Sequence, residues 1–309
     1  MSTAIAELNE YKKPYYTLEF TGEQLGLEIR INDIPAFNVD NSGFMTLEIP
    51  INEYLIAKDN EIKVITFPRF DDNDEQNDNY ISGNTLLLSI YVREDDEPSE
   101  KRVLLNQTLI TPSNAYTKNS EEDIAVSKTD KNTRFTFEIN SSTINLLPYG
   151  VYKKQVVTSW KIPGITTKFP KWLWENSVVI NNNKDTYNSL LNEYMSVYNA
   201  FKNKNIDKIK KISEYRSKEL AAAYYLNDVE EGFKYSSFGE FINHKTAELY
   251  EELNTNNVTL QIVGNGKLAR IIDGSGIHPV VFVNYDTEQV YKPQFVWCKN
   301  KNNEWFLIR

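Results

Sequence analysis

Hydrophobic periodicity changes twice along this chain of 309 residues, and that change constrains the fold more than any other feature. From Tyr15 to about Trp160 the apolar residues come in short runs, many of them alternating with polar ones. Leu25-Gly-Leu-Glu-Ile-Arg-Ile31 places Leu25, Leu27, Ile29 and Ile31 on one face of a strand and Glu28 and Arg30 on the other. Asn32-Asp33 then reads as a turn into Ile34-Pro-Ala-Phe37, and Leu47–Ile49, Glu61–Phe67, Thr85–Val92, Val103–Leu105 and Arg134–Ile139 continue the series. Such spacing predicts an all-β sandwich over residues 1–160.

A linker or crossing segment is expected over 161–184, beginning at Pro163-Gly164 and containing Phe169-Pro-Lys-Trp172-Leu-Trp174. The period then becomes helical. Asp185 is placed to cap a helix whose stripe is Tyr187, Leu190, Leu191, Tyr194, Tyr198 and Phe201, and Asn205 to cap a second with Ile209, Ile212 and Leu220. Ser237-Phe-Gly-Glu240 has capping-box spacing for a third helix carrying Phe241, Ile242, Leu249 and Tyr250. Strand patterns return at Val258–Val263, Leu268–Ile272, Pro279–Tyr285, Gln294–Cys298 and Glu304–Ile308. Residues 185–309 are therefore expected to form an α+β domain, with helices packed on a curved antiparallel sheet.

Two stretches resemble known folds. Leu27–Phe37, Gly43 and Leu47–Val64, with Asn60 and Ile62 near its end, resemble the jelly-roll modules of the galactose-binding-like superfamily. The helices and strands of 185–309, ending in Phe295–Ile308 with two aromatic strands about a polar hairpin, look like the nuclear-transport-factor-two-like fold. That resemblance implies a conical pocket between helices and sheet. The whole layout looks like that of uncharacterised bacterial immunity-type proteins, which implies a role in binding a toxin or effector.

Charge is unevenly spread. Residues 1–150 hold 13 Lys and Arg against 26 Asp and Glu, whereas residues 151–309 hold 21 against 17. An acidic first half attracts a basic protein and offers little to nucleic acid, whose recognition needs clustered Lys and Arg. Asp71, Asp72, Asp74, Glu75 and Asp78, with Glu94, Asp95, Asp96 and Glu97, lie in loops whose composition predicts solvation, and they are the candidate partner contacts. No cofactor is implied, and no run approaches the roughly 18 apolar residues of a membrane span. The start Met-Ser-Thr-Ala-Ile-Ala-Glu-Leu suggests the cytoplasm, or the periplasm if a leader was removed.

Catalytic signatures are sparse. His278 with Asp273 could serve as a general base in a conical pocket, giving a hydrolase or isomerase, while His244 reads as a surface residue. Gly264-Asn-Gly266-Lys-Leu-Ala269 spells a dinucleotide fingerprint, but a strand follows it where a helix is required, so Asn265-Gly266 reads as a hairpin. The run 71–78 has carboxylates but neither the glycine nor the closing glutamate of a calcium loop, so no metal is expected. Cys298, the single cysteine, has no base beside it in sequence. Trp172 and Trp174 would face the same way in an extended segment, forming an aromatic platform for a partner or a carbohydrate. The leading expectation is a non-enzymatic protein-binding module of the immunity or adaptor type, followed by a small-molecule pocket and a carbohydrate-binding module.

Overall fold

A computed structural model describes residues 11–39, 43–69, 84–111, 125–128, 139–145, 155–162, 165–236, 238–244, 247–249, 253, 255, 258–273 and 279–309. The expected acidic loop at 71–78, the strand start at 134–138, Ser237, Tyr250 and His278 lie outside these residues. The chain divides into two compact units, Met1–Phe169 and Pro170–Arg309. Residues expected to form one crossing segment thus fall partly in each unit.

The first unit contains β1 (Pro14–Glu23), β2 (Gly26–Ile31), β3 (Ile34–Val39), β4 (Phe44–Pro50), β5 (Glu61–Phe67), β6 (Leu86–Glu94), β7 (Val103–Thr111), β8 (Ala125–Lys128), β9 (Ile139–Asn145) and β10 (Gln155–Lys161). They form two antiparallel sheets, ordered β4-β1-β6-β7-β8 and β3-β2-β5-β10-β9. Phe20 of β1 meets Phe37 of β3 at 4.6 Å between ring centroids, joining the sheets through their apolar faces. Asn32 and Asp33 both adopt left-handed φ, 53° and 62°, as a two-residue hairpin between β2 and β3 requires.

Buried asparagines tie the loop after β4 to this hairpin. Asn32 Nδ2 donates to the Tyr54 carbonyl and to Asn60 Oδ1, both at 2.8 Å, and Asn60 also bonds the backbone of Ile56 in both directions. The expected polar face of β2 is itself buried. Arg30 donates to Glu28 at 2.6 Å and to Asp33 at 3.3 Å, and Lys63 donates to Asp33 at 2.6 Å. Two cations and two carboxylates neutralise one another, which is what permits their burial.

The second unit contains α1 (Lys184–Lys202), α2 (Ile206–Ile212), α3 (Glu214–Ala223), α4 (Val229–Tyr235) and α5 (Phe238–Asn243), then β11 (Ala247–Leu249), β12 (Val258–Val263), β13 (Leu268–Asp273), β14 (Phe282–Asn284), β15 (Gln289–Tyr291), β16 (Trp297–Lys299) and β17 (Trp305–Leu307). The sheets run β11-β14-β15 and β12-β13-β16-β17. Asn183, not Asp185, caps α1: its side chain accepts from the Thr186 amide at 2.9 Å, which leaves Asp185 inside the first turn. Asn205 caps α2 as expected, but that helix ends at Ile212 and Leu220, expected on it, lies on α3. The third expected helix stops at Asn243, and Leu249 lies on β11 instead. Gly264, Asn265 and Gly266 all have positive φ in the β12–β13 hairpin, which removes the dinucleotide reading.

The core of this unit is aromatic. Phe201 lies 4.9 Å from Phe282, 5.6 Å from Phe238 and 6.2 Å from Phe295, and Tyr194 lies 5.9 Å from Phe295. β13 and β16 pair only at Leu268–Cys298 and Ala269–Trp297. Past that point the Tyr194 hydroxyl joins the two chain segments, accepting from the Ile271 amide at 2.9 Å and donating to the Phe295 carbonyl at 2.6 Å. Burial pushes this phenol well above its ordinary ionisation range. Tyr194→Phe is expected to leave both backbone groups unsatisfied and to cost about 1–3 kcal/mol. A urea titration checks this, and an unchanged midpoint would contradict the bridging role.

Candidate binding face

The face of the first sheet turned away from Phe20 gathers charged and aromatic groups from several strands. Alternation along β1 buries Tyr16, Leu18 and Phe20 and sends Tyr15, Thr17, Glu19 and Thr21 to the other side. Register places Glu19 directly opposite Glu48 on β4 and opposite Ser89 on β6. Two carboxylates so paired repel each other.

Arg102, between the 3-10 turn Ser99–Lys101 and β7, resolves that repulsion. Its Nη2 donates to Glu19 at 2.7 Å, its Nη1 donates to Glu48, and its guanidinium lies 4.0 Å from the centroid of the Tyr91 ring on β6. The Tyr91 hydroxyl reaches the second oxygen of Glu19 at 3.4 Å, and burial raises its ionisation above the usual phenol range. Thr21 and Thr46 exchange a hydrogen bond of 3.0 Å beside this group.

A second arginine–tyrosine stack closes one end of the face. Arg93 lies 4.2 Å over Tyr15, and its Nη1 donates to the carbonyls of Glu94, Asp95 and Glu97. Glu94 accepts from the amides of Lys12 and Lys13 at 3.0 and 2.6 Å, while Glu97 pairs with Lys101 at 3.0 Å. The segment from Glu94 to Glu97, expected to be a free solvated loop, is thus a turn pinned from both sides. Glu94, Asp95 and Glu97 are half-buried, Asp96 is exposed, and burial raises the Asp95 carboxyl. Because a guanidinium covers Tyr15 and Tyr91, these rings have a face each already occupied, which weighs against stacking on sugars.

The aromatic platform at Trp172 and Trp174 does not form. Residues Leu173–Asn176 make a 3-10 turn, not an extended strand, and the two indoles are 1% and 5% exposed. Glu219 holds the turn, accepting from the Leu173 amide at 2.7 Å and from Arg309 at 2.6 Å. Asp273 ends β13, half-buried, opposite Val258. His244 is exposed, with a ring nitrogen 3.3 Å from the Asn284 amide group.

A shallow groove of about 300 Å³ lies between the 173–176 turn and the β16–β17 hairpin, lined by Leu173, Ser177, Cys298, Lys301 and Phe306. Burial pushes the Cys298 thiol up to about 11. Among the described residues no group of His, Cys, Asp or Glu could hold a metal ion, and no helix is long and apolar enough to cross a membrane.

Sequence alone could not show Glu19 opposite Glu48 or Arg102 between them. Those contacts depend on strand order and register. Comparison with family models, with curated protein sequences and with solved structures found no match.

The raised thiol sets an expectation for Cys298. At pH 8 only about one thiol in a thousand is ionised in the native state, because a thiolate must shed its hydration to remain buried. An aromatic disulfide reagent should therefore label the denatured protein within minutes and the native protein far more slowly. Equal rates would contradict the burial.

Proposed function

We propose that this protein is a non-enzymatic protein-binding module of the immunity or adaptor type, holding a basic partner against the β4-β1-β6-β7 face. One observation carries the reading: Glu19 and Glu48, opposed across strands and only partly buried, gather a guanidinium between them over an aromatic ring. They do so in the half of the chain where 26 acidic residues outnumber 13 basic ones. Such a field speeds encounter with a cationic protein and weakens with salt, while the short-range geometry decides which cation is held. Glu23, Glu48 and Asp96 are exposed and extend the acidic surface along and beyond this face.

In the same reading the first unit is a jelly-roll module of the galactose-binding-like kind. Its two five-stranded sheets, the left-handed Asn32–Asp33 turn and the buried Asn60 support that assignment. The second unit is a nuclear-transport-factor-two-like domain whose interior has been given over to packing, supported by helices that precede antiparallel sheets and by the Phe201 cluster.

An alternating Arg-Gly decapeptide is a suitable probe. Titrated at low salt, it is expected to move the amide resonances of β1, β4 and β6, and Glu19→Lys with Glu48→Lys should weaken binding about tenfold or more. Shifts confined to the second unit, or binding unaffected by the reversal, would contradict the proposal.

A further inference from the structure

Arg102 occupies a complete recognition site for a guanidinium, built from three strands that do not include its own. Glu19 of β1 and Glu48 of β4 each take one of its terminal nitrogens, and Tyr91 of β6 supplies the flat surface beneath it. A planar fork satisfies two separate carboxylates and stacks on a ring at once, whereas an ammonium is a point charge that cannot do both. The two glutamates lie directly opposite each other, so the strands create a standing demand for a cation that something must meet.

The way Arg102 meets that demand is loose. Its side chain is 25% exposed, and those of Glu19 and Glu48 are 26% and 32% exposed. It reaches the face from the 3-10 turn Ser99–Lys101, whose own side chains are all unburied. Water and salt screen an ion pair at this depth, so Arg102 is held less firmly than a buried arginine and an outside guanidinium can reach its partners. The contrast is Arg30, fully buried between Glu28 and Asp33, where no outside group can compete.

We infer that Glu19, Glu48 and Tyr91 form an arginine-binding subsite that Arg102 fills in the free protein and yields to an arginine side chain of the partner. The inference rests on the basic-partner reading above and names the residue type that partner presents. Arg102 then acts as an internal placeholder, keeping the acidic pair neutral and the ring covered until a competing guanidinium arrives with further contacts of its own.

The test uses the full chain and N-acetyl-arginine amide, followed through the side-chain carboxyl resonances of Glu19 and Glu48. Arg102→Ala is expected to bind this probe about tenfold more tightly than the wild-type chain, because the stacked, charge-assisted site is vacated. It should prefer the probe to N-acetyl-lysine amide, and adding Tyr91→Leu should remove the gain. Equal affinity of wild type and Arg102→Ala, or equal affinity for the arginine and lysine probes, would overturn the subsite. Should the alanine variant lose its amide dispersion, Arg102→Gln keeps a donor toward Glu48 and takes its place with the same expected order. The assay needs no partner protein, so the two readings fail separately. Decapeptide binding insensitive to Glu19 and Glu48 reversal defeats the partner face, and a null result with the single amino acid defeats the subsite alone.

Discussion

The Tyr194 hydroxyl is the contact on which the second unit's interior depends. β13 and β16 pair only at Leu268–Cys298 and Ala269–Trp297, and beyond that point the two segments run apart beside a core that contains Phe201, Phe238, Phe282 and Phe295. Separation strands a backbone N–H at Ile271 and a carbonyl at Phe295 in an apolar surrounding, and an unpaired buried group is expensive. One phenol satisfies both. The sheet can therefore open without leaving backbone groups unpaired, and the opened space is filled by aromatic side chains.

The first unit places its charges at two depths, and depth decides what each group can do. Glu28, Arg30, Asp33 and Lys63 form a neutral set under cover, where breaking one partner would leave an uncompensated charge. Glu19, Glu48 and Arg102 form a set of similar chemistry nearer the surface, where water and salt screen each pairing more than in the buried set.

Much of the fold was legible before any coordinates. Glu61–Phe67 has the predicted bounds, the hairpins at Asn32–Asp33 and Asn265–Gly266 follow from residues that tolerate left-handed φ, and Asn205 caps α2. Local chemistry specifies such features. What failed was non-local. Trp172 and Trp174 became buried because Glu219, 46 positions after Leu173, ties the turn between them. Glu94 to Glu97 became a pinned turn because Arg93 and the amides of Lys12 and Lys13 consume its acceptors. Helical spacing carried the third helix too far, since α5 stops at Asn243 and Ala247–Leu249 pairs with β14. The candidate face was hidden for the same reason, because strand register alone brings Glu19, Glu48, Tyr91 and Arg102 together.

Site-specific photo-crosslinking in the source cells separates the two units as functional surfaces. A photoreactive side chain at Thr21 or Thr46, beside the Glu19–Arg102–Glu48 group, is predicted to capture a basic protein, with capture lost when Glu19 and Glu48 are reversed. The same probe at Tyr285 or Val290, exposed on the second unit, should capture none. Crosslinks to a partner from Tyr285 or Val290 and none from Thr21 or Thr46 would contradict the account.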